Sequence, residues 1–247
     1  MVSNNLEQSL ERIYRAALAA VDPEAAVWRY LQDTQPDLSA YRKIGLIGFG
    51  KAGVPMARAV ERYCARRLSS GMVIVKDGHG GTLDKTRVFE ASHPEPDHRG
   101  VEAAGAVTRF LSSEFGQDDL LFVAISGGGS ALFPLPARGI SLEDKQRSTT
   151  VLIGCGATIQ EINTIRKHLS QVKGGRLLEF VNGARVISLV LSDVIGDDFP
   201  SIASGPTSPD PTTFGDCLEI IEKYEIERDL PSQVMDYLQL GAAGSDP

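Results

Sequence analysis

The chain has 247 residues, of which 42% are hydrophobic and 23% charged, and its formal net charge is −7. This composition is typical of a globular protein, and the negative charge argues against nucleic-acid and anionic-membrane partners, which need a basic face. The three cysteines are far apart, which argues against a disulfide framework or zinc ribbon and favours a reducing cytoplasm. We see neither a signal peptide nor an apolar run approaching the roughly 20 residues of a membrane span.

Hydrophobic periodicity predicts strands and helices that alternate along most of the chain. An apolar stripe indicates an N-terminal helix over residues 3–20, and Asp22 followed by Pro23 indicates the start of a second helix, with Asp22 as its N-cap. Strands are predicted over residues 43–47, 72–75, 87–91, 120–125 and 186–191. Further helices are predicted over residues 55–68, 101–111, 141–153, 158–173, 213–224 and 231–239.

This alternation predicts an α/β fold: a doubly wound, mostly parallel, Rossmann-like sheet with helices on both faces. The strand at 120–125 is apolar throughout and the strand at 186–191 is apolar except for Ser188, and we expect both strands to be buried on both faces. We expect one domain over residues 1–240, followed by a linker at 241–247.

Five unusual loops follow predicted strands, and all five are expected to line one crevice. In open parallel sheets, ligands bind at the carboxyl ends of the strands. The loops span residues 48–53, 76–81, 92–97, 126–130 and 192–198. Their clustering is the main structural reason to expect a functional site.

The loop at 48–53 supports more than one interpretation. It matches GxGxxG, and Asp77 ends the next strand at the distance typical of a ribose-binding acid in a dinucleotide fold. It nearly matches a P-loop, but Ala52 replaces the Ser or Thr that would bind magnesium, so we reject that assignment. The amides at the start of the following helix, together with Lys51, could instead bind an anion. A tight turn with a solvated lysine remains the simplest alternative.

The glycine run after the strand at 120–125 gives a stronger signal. Three consecutive glycines allow neighbouring amides to converge on an anion, and two serines flank them. A flexible turn is the alternative, but buried strands seldom end in such a run without a ligand. The segment consists of Ser126, Gly127, Gly128, Gly129 and Ser130.

The predicted helix at 158–173 has a polar face opposite an apolar stripe. Asn163, Arg166 or Lys167, and Ser170 follow helical spacing and share that face. Because Arg presents a planar fork to two oxygens, this face would suit a phosphate or carboxylate. A solvated basic face explains the same pattern equally well. His168 is expected to be a packing or surface residue.

Carboxylates cluster after the last predicted strand. Asp193 follows the strand directly, and Asp197 and Asp198 come after a glycine. Such groups near phosphate loops are candidates for binding Mg²⁺, or one of them could accept a proton from a substrate hydroxyl. Helix capping or a solvated turn explains Asp197 and Asp198 equally well. His93 and His79 lie in strand-end loops, where they could contact a substrate.

Taken in order, seven motifs resemble those of the glycerate 2-kinase family, some members of which have been labelled hydroxypyruvate reductases. The resemblance extends over about residues 5 to 240. The motifs are Gly50-Lys51-Ala52, Ser92-His93-Pro94, Ile125–Leu132, Asn163–Ser170, Lys173–Leu177, Leu191–Asp198 and Ala203–Thr207.

The resemblance implies phosphorylation of D-glycerate to 2-phosphoglycerate by ATP, with a divalent cation such as Mg²⁺. It also implies a Rossmann-like first domain, a smaller second domain and an active site between them. Carried onto this chain, the catalytic residues would be Lys51, Arg166 and Asp193. Gly50 and the glycine segment 126–130 would bind the nucleotide, His93, Asn163 and Lys167 would contact the substrate, and Asp193 and Asp197 would hold the metal.

The sequence leaves two alternatives open. GxGxxG and Asp77 favour an NAD-dependent hydroxypyruvate reductase, but this function leaves the second anion loop unexplained. The chain also departs from the family pattern by stopping where the second domain should begin, which favours a ligand-binding domain without turnover. A second copy of the chain, in a homodimer, could supply the missing wall of the cleft.

Overall fold

A computed structural model describes residues 2–245 and has a parallel five-stranded sheet in the order β3-β2-β1-β4-β5. The strands are β1 (Ile44–Phe49), β2 (Leu68–Lys76), β3 (Thr86–Ala91), β4 (Leu120–Ile125) and β5 (Arg185–Val190). The helices are α1 (Val2–Ala20), α2 (Pro23–Thr34), α3 (Gly53–Cys64), α4 (His98–Glu114), α5 (Gly129–Leu132), α6 (Leu142–Gly154), α7 (Ile159–His168), α8 (Phe214–Lys223) and α9 (Ser232–Ala242). Helices on both faces of this sheet confirm the predicted doubly wound fold.

The central strands explain why one edge of the sheet holds the candidate loops. β1 pairs with β2 on one side and with β4 on the other, and every residue of β1 and β4 is buried. The chain first builds the sheet outward through β2 and β3, then returns to place β4 beside β1. This reversal creates a switch point between β1 and β4, which is the usual ligand site of such sheets.

Two apolar cores cover the two faces of the sheet. Ile44, Leu46 and Val60 belong to the core on the side of α2 and α3. Ile47, Val107 and Leu177 belong to the core on the side of α4 and the 3₁₀ helix Arg176–Val181. Alternate residues of β1 thus enter opposite cores, because successive side chains of a strand point to opposite faces.

A third core lies among helices α6 to α9, away from the sheet. Leu152 of α6, Ile165 of α7, Ile221 of α8 and Leu238 of α9 are all buried in it. The chain builds half of this cluster between β4 and β5 and the other half after β5. The helical cluster therefore forms a second packing unit beside the sheet.

Several predicted boundaries were wrong. The predicted helix at 158–173 ends at His168, and α3 ends at Cys64 before a 3₁₀ turn leads into the longer strand β2. The predicted linker at 241–247 begins inside α9, and residues 246–247 lie outside the described part of the chain.

β5 is not the covered strand that its apolar sequence predicts. It pairs only with β4, at the edge of the sheet, and Leu189 alone of its residues is fully buried. An edge strand can keep an apolar sequence when only part of its surface packs on the core.

The N-terminal helix α1 forms as predicted, but its apolar stripe is not buried. Leu6, Leu10 and Ile13 are each more than half exposed. Within residues 2–245, no helix is long and apolar enough to cross a membrane.

Two stacked aromatic rings lie in the core next to the switch point. Phe49 ends β1 and Phe133 follows α5, and their rings are parallel with centroids 4.5 Å apart. Both side chains are at most 1% exposed. Because this pair joins the end of β1 to the segment after the glycine loop, it ties the sheet to the site.

We expect Phe133→Ala to lower the free energy of unfolding by about 3–5 kcal/mol, because a large ring leaves a cavity that the sheet edge cannot fill. Urea unfolding followed by circular dichroism measures the change. Phe199→Ala is the control: Phe199 is 59% exposed, so its loss should change the free energy by no more than about 0.5 kcal/mol. Equal effects of the two substitutions would contradict the supporting role of the stack.

Candidate functional site

The loops after β1 and β4 are bonded to each other at the switch point. The amide of Lys51 donates to the carbonyl of Gly127 at 2.9 Å, and the amide of Ser126 donates to the carbonyl of Phe49 at 3.1 Å. The amide of Ala52 donates to the Ser126 hydroxyl at 3.1 Å. These bonds make the two loops one rigid backbone unit.

Two glycines are required for this close approach. Gly50 has φ +123°, and a β-carbon added to it would lie 2.3 Å from Ser126 Oγ. Gly128 has φ +85°, and a β-carbon there would meet the His93 ring at 2.9 Å. Both backbone conformations are unfavourable for residues with a side chain, so the sequence uses glycine here for shape.

The glycine loop leaves amides free for a ligand. The amide of Gly129 is bonded to the Ser126 carbonyl. In the described part of the chain, the amides of Gly127, Gly128 and Ser130 have no acceptor. Neighbouring free amides in a turn with one left-handed residue form an anion-binding concavity. The geometry supports the predicted nest.

The two flanking serines, in contrast, are engaged within the protein. Ser126 is buried and its hydroxyl accepts the bond from Ala52. The Ser130 hydroxyl lies 2.9 Å from that of Ser204 and accepts a bond from Lys173. Both hydroxyls therefore help to hold the loop in place.

Three of the predicted site residues surround the glycine loop. A β-carbon added to Gly127 would lie 2.6 Å from Asp193 Oδ2, and one on Gly128 would lie 3.1 Å from Lys51 Cε. Together with the ring of His93, these side chains converge on two adjacent glycines. Neither Lys51 Nζ nor the Asp193 carboxylate has an ion-pair partner among residues 2–245. Both charges are thus available to a ligand.

His93 lies in a positive environment. Partial burial lowers the pKa of His93 below its usual value, and the charges of Lys51, Lys76 and His79 lower it further. His79, in the loop after β2, has its Nδ1 3.1 Å from the Lys51 carbonyl, so this second histidine contacts the loop after β1. A neutral His93 is suited to a hydrogen bond with a ligand.

Arg166 and Asn163 of α7 lie with two buried lysines on the far side of Ser130. Lys173 Nζ donates to the Ser130 carbonyl at 2.9 Å and to its hydroxyl at 3.1 Å. Lys145 of α6 is 9% exposed, and its Nζ has no hydrogen-bond partner among residues 2–245. Burial lowers the pKa of Arg166 below its ordinary value. This side of the site is strongly positive.

Sequence reasoning missed Lys145 and gave no separate role to Lys173. A signal for Lys145 was present in α6, where Leu142, Lys145, Ser148 and Leu152 form the buried face. A lysine at a core position of an amphipathic helix needs a reason. The predicted helix at 141–153 covers the same residues, so the position of Lys145 between Leu142 and Leu152 is visible in the sequence.

Lys167, predicted to contact the substrate, has a partner inside the protein. Its Nζ lies 3.1 Å from Asp210 Oδ1, and both side chains are at most 14% exposed. His168 is also buried, as a packing residue in edge contact with Phe214. Burial lowers the pKa of His168. The structure therefore ties this part of α7 to the helical cluster and leaves Arg166 as the unpaired cation.

The acidic loop after β5 supplies one carboxylate to the glycine loop. Asp197 and Asp198 are exposed, and Asp198 accepts a hydrogen bond from Ser201 in a local turn. Within residues 2–245, no group of three or more His, Cys, Asp or Glu side chains is arranged to hold a metal. Asp193 is the acid that lies against Gly127.

The acid expected in a dinucleotide fold is already occupied. Asp77 receives two hydrogen bonds of 2.7 Å from the guanidinium of Arg99, which keep its pKa below the usual value. Such a forked ion pair leaves little capacity to bind a ribose. The geometry therefore weighs against a nicotinamide nucleotide at this site.

Comparisons with known proteins match this chain to one family. Residues 9–239 match the family model described as a domain of unknown function, DUF4147. D-glycerate 2-kinase of Thermotoga maritima is 43% identical over 90% of this chain and 52% of its own length. A protein of Agrobacterium vitis called a putative hydroxypyruvate reductase is 41% identical over 95% of this chain and 52% of its own length.

The fold comparison agrees. A crystal structure of glycerate kinase from Thermotoga maritima superimposes with a TM-score of 0.84 and 40% identity, over 95% of this chain and 55% of that one. The chain thus spans about half the length of the relatives that it matches. On the extent of the family match, this chain belongs to the DUF4147 family, among relatives that include glycerate kinases.

Proposed function

We propose that this chain supplies the nucleotide- and substrate-binding part of a D-glycerate 2-kinase, which transfers the γ-phosphoryl group of ATP to D-glycerate. One observation supports this most directly: free amides of a glycine loop face Lys51 and Asp193, neither of which has a charged partner in residues 2–245. The names of the glycerate kinase relatives support the same reaction.

Phosphoryl transfer requires the protein to position the substrates and neutralise their charge more than to take part in covalent chemistry. The amides of Gly127, Gly128 and Ser130 would bind phosphate oxygens, and Lys51 would oppose the charge that develops on the moving group. Gly50 and Ser126 would keep the two loops at the separation that this requires. Gly129 would act in the same way, through its bond to the Ser126 carbonyl.

The side chains around the loop would bind different parts of the two substrates. Arg166 and Asn163 would bind the glycerate carboxylate or the transferred phosphoryl group, and His93 would donate or accept a hydrogen bond beside it. Lys167 was expected to share this role, but its pairing with Asp210 supports a structural one. Asp193 lies close enough to the glycine loop to interact with the reacting groups.

The acidic loop fits Mg²⁺. This ion usually takes one or two carboxylates together with phosphate oxygens and water, and the Asp193 carboxylate has no other partner in the described chain. Asp193 would hold the ion, with Asp197 four residues further along the same exposed loop. When bound, Mg²⁺ neutralises charge on phosphate oxygens.

A hydroxypyruvate reductase is the second candidate, since some relatives are named so. The Asp77–Arg99 pair counts against it, as does a second anion loop that NAD would not use. The kinase accounts for both glycine loops and for Lys51.

We further propose that the cleft has a second wall, from a partner domain or from another copy of this chain in a homodimer. Kinases exclude water by closing over their substrates. The free thiols of Cys64, Cys155 and Cys217 agree with a cytoplasmic setting.

A comparison of nucleotides tests the proposed function. We expect Mg-ADP and Mg-ATP to raise the melting temperature of this chain more than NADH does, since bound ligand stabilises the folded state. Differential scanning fluorimetry measures the shifts at equal ligand concentrations. A larger shift with NADH, together with saturable hydroxypyruvate reduction, would favour the reductase instead.

Lys51 is tested by removal of its charge. Lys51→Met keeps most of the aliphatic stem, and we expect it to weaken Mg-ADP binding by about 10- to 100-fold, the effect of losing one charged hydrogen bond. Isothermal titration calorimetry measures the affinity. The control is Arg66→Met, because Arg66 is exposed and precedes β2 at the opposite end of the sheet. If the two variants bind equally well, Lys51 is only a solvated turn residue.

A further inference from the structure

Three cations lie together behind the glycine loop without a counter-charge. Lys145 comes from α6, Arg166 from α7, and Lys173 from the segment after α7. No carboxylate within residues 2–245 forms an ion pair with any of them. The arrangement brings like charges together in a place where water is scarce.

The burial of the Lys145 and Lys173 amines lowers the stability of the folded protein. Burial lowers the pKa of Lys145 to about 7, and the nearby charges of Arg166 and Arg176 act in the same direction. Burial also lowers the pKa of Lys173 well below its ordinary value, and Lys145 and Arg166 lower it further. A buried ammonium group without a partner is costly, and a methionine of similar size would avoid that cost.

Two other cations in the same helix layer have structural roles, and both have partners inside the protein. Lys167 is as buried as Lys145, but it is paired with Asp210. Arg176 donates hydrogen bonds to the carbonyls of Ser170, His168 and Lys167 at the end of α7. Among the residues that the structure describes, neither Lys145 Nζ nor the Arg166 guanidinium has a hydrogen-bond partner.

Lys173 connects the two unpartnered cations, Lys145 and Arg166, to the glycine loop. Its Nζ donates to both oxygens of Ser130, the last residue of that loop, and to the carbonyl of Ala203 at 3.5 Å. The Ser130 hydroxyl contacts that of Ser204, which lies 3.4 Å from Asn163 Oδ1. A polar wall therefore runs from the glycine loop to the cations, and an anion bound there would lie beside one held by the loop.

We propose that Lys145 and Arg166 form a second oxyanion subsite, which binds a carboxylate or phosphoryl group separately from the glycine loop, and that Lys173 links this subsite to Ser130. The subsite does not depend on the kinase reaction: any ligand with such a group, whether an organic acid or a nucleotide, offers the same chemistry. Arg166 would present a fork to two oxygens, and Lys145 would add a point charge.

The test uses sulfate as the probe and Lys145→Met as the variant. Titrations are performed in a Lys51→Met background, so that sulfate at the glycine loop contributes less. We expect Lys145→Met to weaken sulfate binding by about 10- to 100-fold, as for a lost charged hydrogen bond. The matched control is Arg147→Met, an exposed cation two residues along the same helix, which should bind sulfate as the background does.

The melting temperature gives a second readout. A structural role of Lys145 would make Lys145→Met melt earlier, whereas the proposed subsite predicts that it melts later. Without ligand, Lys145→Met should raise the melting temperature by about 2–4 °C for each kcal/mol of relieved charge burial. Sulfate should then stabilise Lys145→Met less than Arg147→Met. A Lys145→Met protein that melts earlier but binds sulfate normally would overturn the proposal.

Proton uptake tests the site without any change to Lys145. At about pH 8 the Lys145 amine is mostly neutral in the free protein, whereas a bound oxyanion favours the charged form, so binding should take up a proton. The other charged groups facing it are Arg166, Arg176 and Lys173. Calorimetry of sulfate binding in two buffers of different ionisation enthalpy measures the uptake. Binding without proton uptake would contradict the proposal, even if Lys145→Met failed to fold.

Two further titrations identify the source of the oxyanion. If the subsite binds the carboxylate, Lys145→Met weakens D-glycerate binding and leaves ADP binding unchanged. If it binds a nucleotide phosphate, the pattern is reversed. If sulfate binding depends on Lys145 but neither D-glycerate nor ADP binds at all, the subsite stands and the proposed kinase function fails.

Discussion

The hydrogen bond from the Lys51 amide to the Gly127 carbonyl is the contact on which the candidate site depends. It joins the end of β1 to the end of β4, and it can form only because Gly50 and Gly128 adopt backbone conformations that side chains disfavour. The same bond directs the Lys51 side chain over Gly128 and leaves the glycine amides free. The functional groups of this edge are thus positioned by backbone geometry, with the Phe49–Phe133 stack beneath them.

The electrostatics of the chain are organised around this edge despite a net charge of −7. Elsewhere, buried or partly buried acids are matched with bases: Asp210 with Lys167, and Asp119 with Arg42. Around the glycine loop and behind Ser130, the cations have no such matches. Because low-dielectric walls strengthen a local field, a few unpaired cations can attract an anionic ligand to a protein that is acidic overall.

The sequence was most informative where a single physical signal dominated. The apolar run of β4 and the glycine run that follows it predicted both a central strand and an anion loop, since little else explains that combination. β5 was misjudged because its apolar residues resemble those of β4, while its edge position depends on strand order, which hydrophobicity does not encode. The pairing of Lys167 was hidden in the sequence because its partner, Asp210, lies 43 residues away, whereas the burial of Lys145 could be read from its place on the apolar face of α6.

The two halves of the positive site belong to different packing units. The glycine loop rests on the sheet, whereas Lys145 and Arg166 extend from helices whose core is separate. Their alignment is fixed by the short segment after α7, where Ser170 and Gln171 bond to the Leu135 and Pro136 carbonyls. Lys173 then reaches Ser130. The same segment places Leu169 in the helical core and Val172 in a core of the sheet, so apolar packing and hydrogen bonds together hold the two packing units in register. A ligand that spanned the glycine loop and the proposed second subsite would add a further link between these units.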